Sequence, residues 1–144
     1  MTRRVRVWGP AWAMMALIFA LSSMSQPPQV PGGFEIDDGV AHAVAYGVLS
    51  VLLLRGLAGA RWRGVRFRAA GMAVLLATLY GGTDEVHQRF VPGRTAEIAD
   101  LIADAVGAAA AAGLVWAWHC VRKVPRGTKT GSAPDRRGAF PPDG

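Results

Sequence analysis

Between positions 84 and 104 the chain reads DEVHQRFVPGRTAEIADLIAD, a dense run of carboxylates with one imidazole and two arginines. It lies between two stretches, 69–80 and 105–118, that are otherwise apolar enough for the inside of a membrane. Asp84 and Glu85 fall at the end of the first stretch, and Asp100 and Asp104 in the first turns of the second. A carboxylate at mid-membrane costs about 2.5–3.5 kcal/mol on insertion scales, so charges at that depth are functional candidates. A second constellation, Asp38, His42 and Tyr46, recurs at four-residue spacing and therefore stacks on one helix face.

Several chemistries suit these residues. His42 or Glu85 can act as general base or acid, with Asp38 and Asp100 as further catalytic candidates. Arg94 is planar and forked, which suits a carboxylate neighbour such as Glu85 or Asp100, or the phosphate or carboxylate of a ligand. Tyr46, Asp84, His87, Gln88 and Asp104 are the remaining candidates for ligand contact. A metal version takes Asp38, His42, Glu85, His87 and Asp100 as oxygen and nitrogen ligands for manganese or zinc. Neither an HExxH motif nor paired cysteines is present, so that spacing is nonspecific. The same pocket can instead bind a ligand without chemistry. In the architectural alternative the polar groups only tie helices together. Interhelical hydrogen bonds in membranes contribute about 0.6 kcal/mol on average, a small return for several buried carboxylates. Transport ranks last, because apart from Ser50 and Arg55 the other halves of the apolar stretches carry no polar path.

Four spans position these groups, so the expected fold is all-α, a polytopic bundle of four transmembrane helices. Positions 1–7 form a basic N-terminus, 8–119 the helical domain, and 120–144 a basic tail expected to be disordered. The first span covers about 7–24, with Pro10 tolerable in a first turn. Ala20-Leu21-Ser22 loosely resembles a signal-peptide cleavage site, and the reading adopted is an uncleaved helix. A proline- and glycine-rich loop with Glu35 follows, and Asp37 or Asp38 can cap the second span, about 40–57. There Arg55 can snorkel toward the interface. The third span runs from Ala69 to roughly Thr83, where Gly71, Gly81 and Gly82 permit close helix approach and weaken the helix end. Pro92-Gly93 reverses the chain, and the fourth helix is expected to start near Thr95 as N-cap. There Glu97, Asp100 and Asp104 share a face, and the GAAAAAG stretch at 107–113 lets neighbouring backbones approach.

Hydrophobic residues make up 51% of the chain and the mean hydropathy is only +0.24, so distribution rather than composition indicates a membrane. The single cysteine, Cys120, excludes an intrachain disulfide. Arginine and lysine gather in the N-terminus, the 58–68 connector and the tail, whereas only Arg89 and Arg94 lie on the opposite side. The positive-inside rule then makes both termini cytoplasmic, with the polar residues at the outer end. The connector's alternating arginines and aromatics are read as topology signal and interface anchor, not as a nucleic-acid site. Membrane lipids are the partners expected of such a bundle.

Asp38-x-x-x-His42-x-x-x-Tyr46, then Asp84-Glu85-x-His87-Gln88-x-Phe90-Val91-Pro92-Gly93-Arg94, then Asp100 and Gly107, resemble the VanZ-like family of small bacterial membrane proteins. The resemblance covers roughly 8–119. It implies a bacterial inner membrane and a cell-envelope role linked to teicoplanin resistance, with a lipid-linked cell-wall intermediate or glycopeptide as the expected partner, and supplies no molecular activity. Two positions depart from the pattern: Gly39 stands where the family usually has lysine, and Asp104 where it often has asparagine. Both changes make the cluster more acidic.

Overall fold

The computed structural model describes residues 2–25, 37–60, 62 and 65–122. Among these there are four helices, α1 (Arg3–Ser22), α2 (Asp38–Leu57), α3 (Phe67–Gln88) and α4 (Ile98–Arg122). The loop at 26–36 with Glu35, the arginines 61 and 63, and the tail from 123 onward lie outside the described residues.

α1, α2 and α4 are each long and apolar enough to cross a membrane. α3 has 22 residues, about 33 Å at 1.5 Å per residue, so it is also long enough. Its polar residues reduce its average hydropathy, but they turn inward: Asp84, Glu85 and Gln88 are buried while Leu75, Leu79 and Val86 face out. The outward faces of the other helices are equally apolar, with Phe19, Val44, Val48 and Leu114 exposed. An apolar exterior around a polar interior end is the arrangement a lipid solvent demands.

α2 and α4 make the most extensive contact and run parallel, and small residues are the reason. A Cβ on Gly107 would collide with the backbone of Ala43, and one on Gly47 would stand 3.2 Å from the Gly107 carbonyl oxygen. One turn further along, Ser50 Oγ donates to the Ala108 carbonyl at 3.0 Å. Ala108 and Ala112 are fully buried at the seam. Of the expected small-residue contacts, Gly107 fits this role, whereas Gly113, Gly71 and Gly82 face open space.

Several boundaries depart from expectation. α1 begins at Arg3, so residues 3–7 belong to the helix and Pro10 lies well inside it. Proline has no N–H for the Arg6 carbonyl. Arg55 compensates: its Nη1 donates to Arg6 O at 3.4 Å and to Val7 O at 3.2 Å rather than snorkelling outward. α3 continues through Gly81 and Gly82 to Gln88 instead of fraying near Thr83. α4 starts at Ile98, three residues after Thr95, whose hydroxyl donates to the Glu97 side chain rather than capping a helix. Asp37 does cap α2, accepting from Val40 N at 3.3 Å. α4 also runs past residue 119 to Arg122, whose guanidinium lies 4.4 Å from the centre of the Trp118 ring.

The seam yields a prediction. Gly107→Ala is expected to lower stability in detergent by about 1–3 kcal/mol, because the added methyl meets backbone that cannot rotate away. Gly113→Ala, in open space, is expected to be neutral or slightly stabilising, since alanine is the better helix former. Melting curves of the two proteins check the contrast.

Candidate functional site

The C-terminal ends of α1 and α3 and the N-terminal ends of α2 and α4 meet at one end of the bundle. Contacts from every helix to a neighbour there fix this arrangement. All the candidate site residues named from the sequence lie at this end, in three groups.

The first group is the pair of His42 and Asp104. His42 Nδ1–H donates to Asp104 Oδ1 at 3.0 Å, and the carboxylate is 0% exposed. Its other oxygen fits a notch left by Gly81: a Cβ there would collide with Asp104 Oδ2 and stand 3.3 Å from Tyr46 Cε1. Tyr46 forms the floor, its ring stacked on His42 with centroids 6.1 Å apart. Because Nδ1 is committed to Asp104, Nε2 is the ring nitrogen left for a ligand. Beside the pair, His42, Glu85 and Asp100 each offer a ligand atom, all within 4.8 Å of one another. Glu85 is only 7% exposed; Oε2 accepts from the backbone N–H of Glu97 at 2.9 Å, and Oε1 has no partner among the described residues. Glu97 therefore joins the cluster through its backbone, while its side chain is exposed.

The second group points toward α1. Ser22 Oγ donates to Asp84 Oδ1 at 2.6 Å, and Gln88 Nε2 donates to Asp84 Oδ2 at 3.1 Å. His87 lies 3.0 Å from Ser23 Oγ, whose own proton goes to Phe19 O, so the ring Nε2–H donates. The His87 ring also packs on Phe19, 4.5 Å between centroids. His87, one of five possible metal ligands in the sequence reading, thus stands apart from His42, Glu85 and Asp100. These contacts, with Tyr80 Oη donating to Met15 O at 2.7 Å, fasten α3 to α1.

The third group lines a cavity of about 190 Å³ with Asp38, Gln88, Arg94, Thr95 and Asp100 among its walls. Asp38 belongs here rather than with the metal-type triplet. Arg94 departs from expectation: among the described residues it lies within 4 Å of no carboxylate, and its Nε is buried without a partner. The expected ion pair with Glu85 or Asp100 is therefore not formed.

Sequence reasoning missed Ser22, Ser23 and Tyr80. The serines carried a usable signal, since adjacent hydroxyls at the end of a span are well placed to meet carboxylates from another helix. Tyr80 lay inside an apolar run and gave none.

The Ser22–Asp84 bond generates a second prediction. In a double-mutant cycle with Ser22→Ala and Asp84→Asn, the coupling should exceed the roughly 0.6 kcal/mol average for interhelical hydrogen bonds in membranes, because the acceptor is a buried carboxylate. Detergent melting of the four proteins measures it.

No curated protein and no solved structure matches the chain. Residues 11–119, which include all three polar groups, match the VanZ/LLP1 family. With the match spanning well over half of the sequence, and three of the four helices long and apolar enough to cross a membrane, the chain is a membrane protein that belongs to the VanZ/LLP1 family.

Proposed function

We propose that the polar end of the bundle binds the headgroup of a lipid-linked cell-envelope molecule, with His42 and Glu85 as the groups able to move a proton on it. The observation that carries this reading is Arg94. Its buried Nε has no acceptor among the described residues, and it lines the same cavity as Asp38, Gln88 and Asp100. A guanidinium whose Nε has no acceptor among the described residues is a ready partner for a phosphate or carboxylate, which it can hold through two parallel hydrogen bonds.

A second feature supports an amphipathic ligand. Thr78, Leu79, Gly82, Val86 and Leu101 line an apolar groove on the α3–α4 flank, and Leu101 is the neighbour of Asp100 in the cavity wall. A lipid chain suits the groove and a polar head the cavity. The His42–Asp104 pair supports proton transfer, because the carboxylate fixes the imidazole tautomer and orientation and leaves Nε2 available. Asp84, saturated by Ser22 and Gln88, serves the architecture. The distribution of arginine supports an extracytoplasmic cleft with both termini in the cytoplasm. A glycopeptide-type ligand, which teicoplanin resistance in the resembling family suggests, has the carboxylate and amide chemistry that Arg94 and Asp100 can bind.

The reading makes two predictions. Arg94→Lys should lose most of the bound lipid detected by mass spectrometry on protein purified in mild detergent, despite keeping the charge. Wild-type lipid content in that variant would refute the role given to Arg94. For sidedness, a cysteine at exposed Arg89 in a Cys120→Ser background should react with a membrane-impermeant maleimide in intact cells, whereas Cys120 of the unmodified chain should react only after lysis. The reverse pattern would invert the topology.

A further inference from the structure

We propose that His42, Glu85 and Asp100 form a divalent-cation site, taking zinc or manganese, with Asp104 as the residue that positions His42. This rests on reading the polar end as the ligand-binding site, and in it metal ligation by His42 and Glu85 takes the place of proton transfer by those two groups. The three side chains come from three helices, α2, α3 and α4, and each offers a ligand atom within 4.8 Å of the other two. Ligand atoms on tetrahedral zinc stand about 3.3–3.6 Å apart. Binding therefore draws the three side chains together by up to about 1.5 Å.

Three further observations point to a cation. Glu85 is more than nine-tenths buried and its Oε1 has no partner among the described residues. A buried carboxylate oxygen without a donor is costly unless something positive meets it. No lysine or arginine comes within 4 Å of Glu85, Asp100 or Asp104 among the described residues, so the imidazole faces three carboxylates with no other cation in contact. Finally, Asp104 accepts from His42 Nδ1 at 3.0 Å. Metal-bound histidines almost always donate their second ring N–H to a carboxylate, carbonyl or water in this way, which fixes the tautomer that ligates. One nitrogen and two carboxylates suit zinc or manganese, and three protein ligands leave coordination positions open toward the cavity.

The test uses the full chain in mild detergent, stripped with chelator and titrated with zinc chloride or manganese chloride. Wild type should take up about one equivalent and melt at a higher temperature with metal than without, because the ion binds only the folded state. Glu85→Gln and Asp100→Asn should lose that uptake and that shift, and His87→Gln should keep both. Asp104→Asn should weaken affinity by about 10- to 100-fold. A measurement on wild type alone guards against misfolded variants: electron spin-echo modulation of bound manganese should show coupling to one histidine nitrogen. No stoichiometric uptake, no nitrogen coupling, or undiminished uptake in folded Glu85→Gln and Asp100→Asn proteins would overturn the proposal. Lipid content measured on the same samples separates the two readings, since lipid retained by a protein that takes up no metal removes the cation site alone.

Discussion

The close approach of α2 and α4 is the constraint on which the polar end depends. Gly107 lies against the backbone of Ala43, and side chains at either glycine of the seam would push the helices apart. His42 precedes Ala43, and Asp104 lies one turn before Gly107, so the same approach sets the 3.0 Å hydrogen bond between them. In lipid, apolar surfaces gain little by leaving the solvent, and close backbone packing with interhelical hydrogen bonds must hold helices together. The seam provides both, with Ser50 reaching the Ala108 carbonyl on the far side of the glycines. The imidazole is therefore held from below by packing and from the side by Asp104.

The other parallel pair, α1 and α3, is joined differently. It has few backbone approaches and relies on side chains: Tyr80 to the Met15 carbonyl near mid-helix, and Ser22 to Asp84 at the polar end. α1 is the most loosely attached helix, touching α2 and α3 but not α4. Arg55 strengthens its far end by supplying a donor to the carbonyl that Pro10 leaves without one, and the Trp8 ring covers Gly56, where any Cβ would strike it. Each α1 contact thus answers a defined need of its partner, whether an orphan carbonyl, a buried carboxylate or a flat space beside a glycine.

Helix number, approximate boundaries and the gathering of polar groups at one end were legible because each follows from local pattern: apolar runs, turn residues and four-residue spacing. Which polar groups meet was legible only in part. Asp84 and Glu85 are adjacent in sequence, yet they turn to different sides of α3, one toward Ser22 and the other toward Glu97 and His42. That split depends on α3 staying helical through Gly81 and Gly82, and local propensity argued the opposite. Tertiary packing overrode it, because Gly81 is needed as the notch for Asp104. Arg55 was misread for a similar reason. A sequence shows an arginine near a helix end but not a distant proline that lacks an N–H.

The acidity of the cluster can be argued from the same geometry. Against the VanZ-like pattern that the chain resembles, a lysine is replaced by Gly39 and an asparagine by Asp104, so a positive charge is lost and a negative one gained. Gly39 sits tightly placed: a Cβ there would stand 3.1 Å from Asp37 Oδ1 and 3.9 Å from Ala103 Cβ on α4. A longer side chain would have to leave between the α2 cap and α4, beside the cavity. Asp104 gains from its charge by gripping His42 more strongly than a neutral amide can, since hydrogen bonds to ionised acceptors are about twice as strong as neutral ones. The exchange leaves Glu85 and Asp100 without a nearby ammonium, and Arg94, although it shares the cavity wall with Asp38 and Asp100, comes within 4 Å of no carboxylate among the described residues. Positive charge in contact with these two carboxylates therefore has to come from a protonated His42 or from something bound. His42 is already engaged by Asp104, which places the unmet requirement at Glu85, the one carboxylate of the triplet that is both buried and incompletely paired.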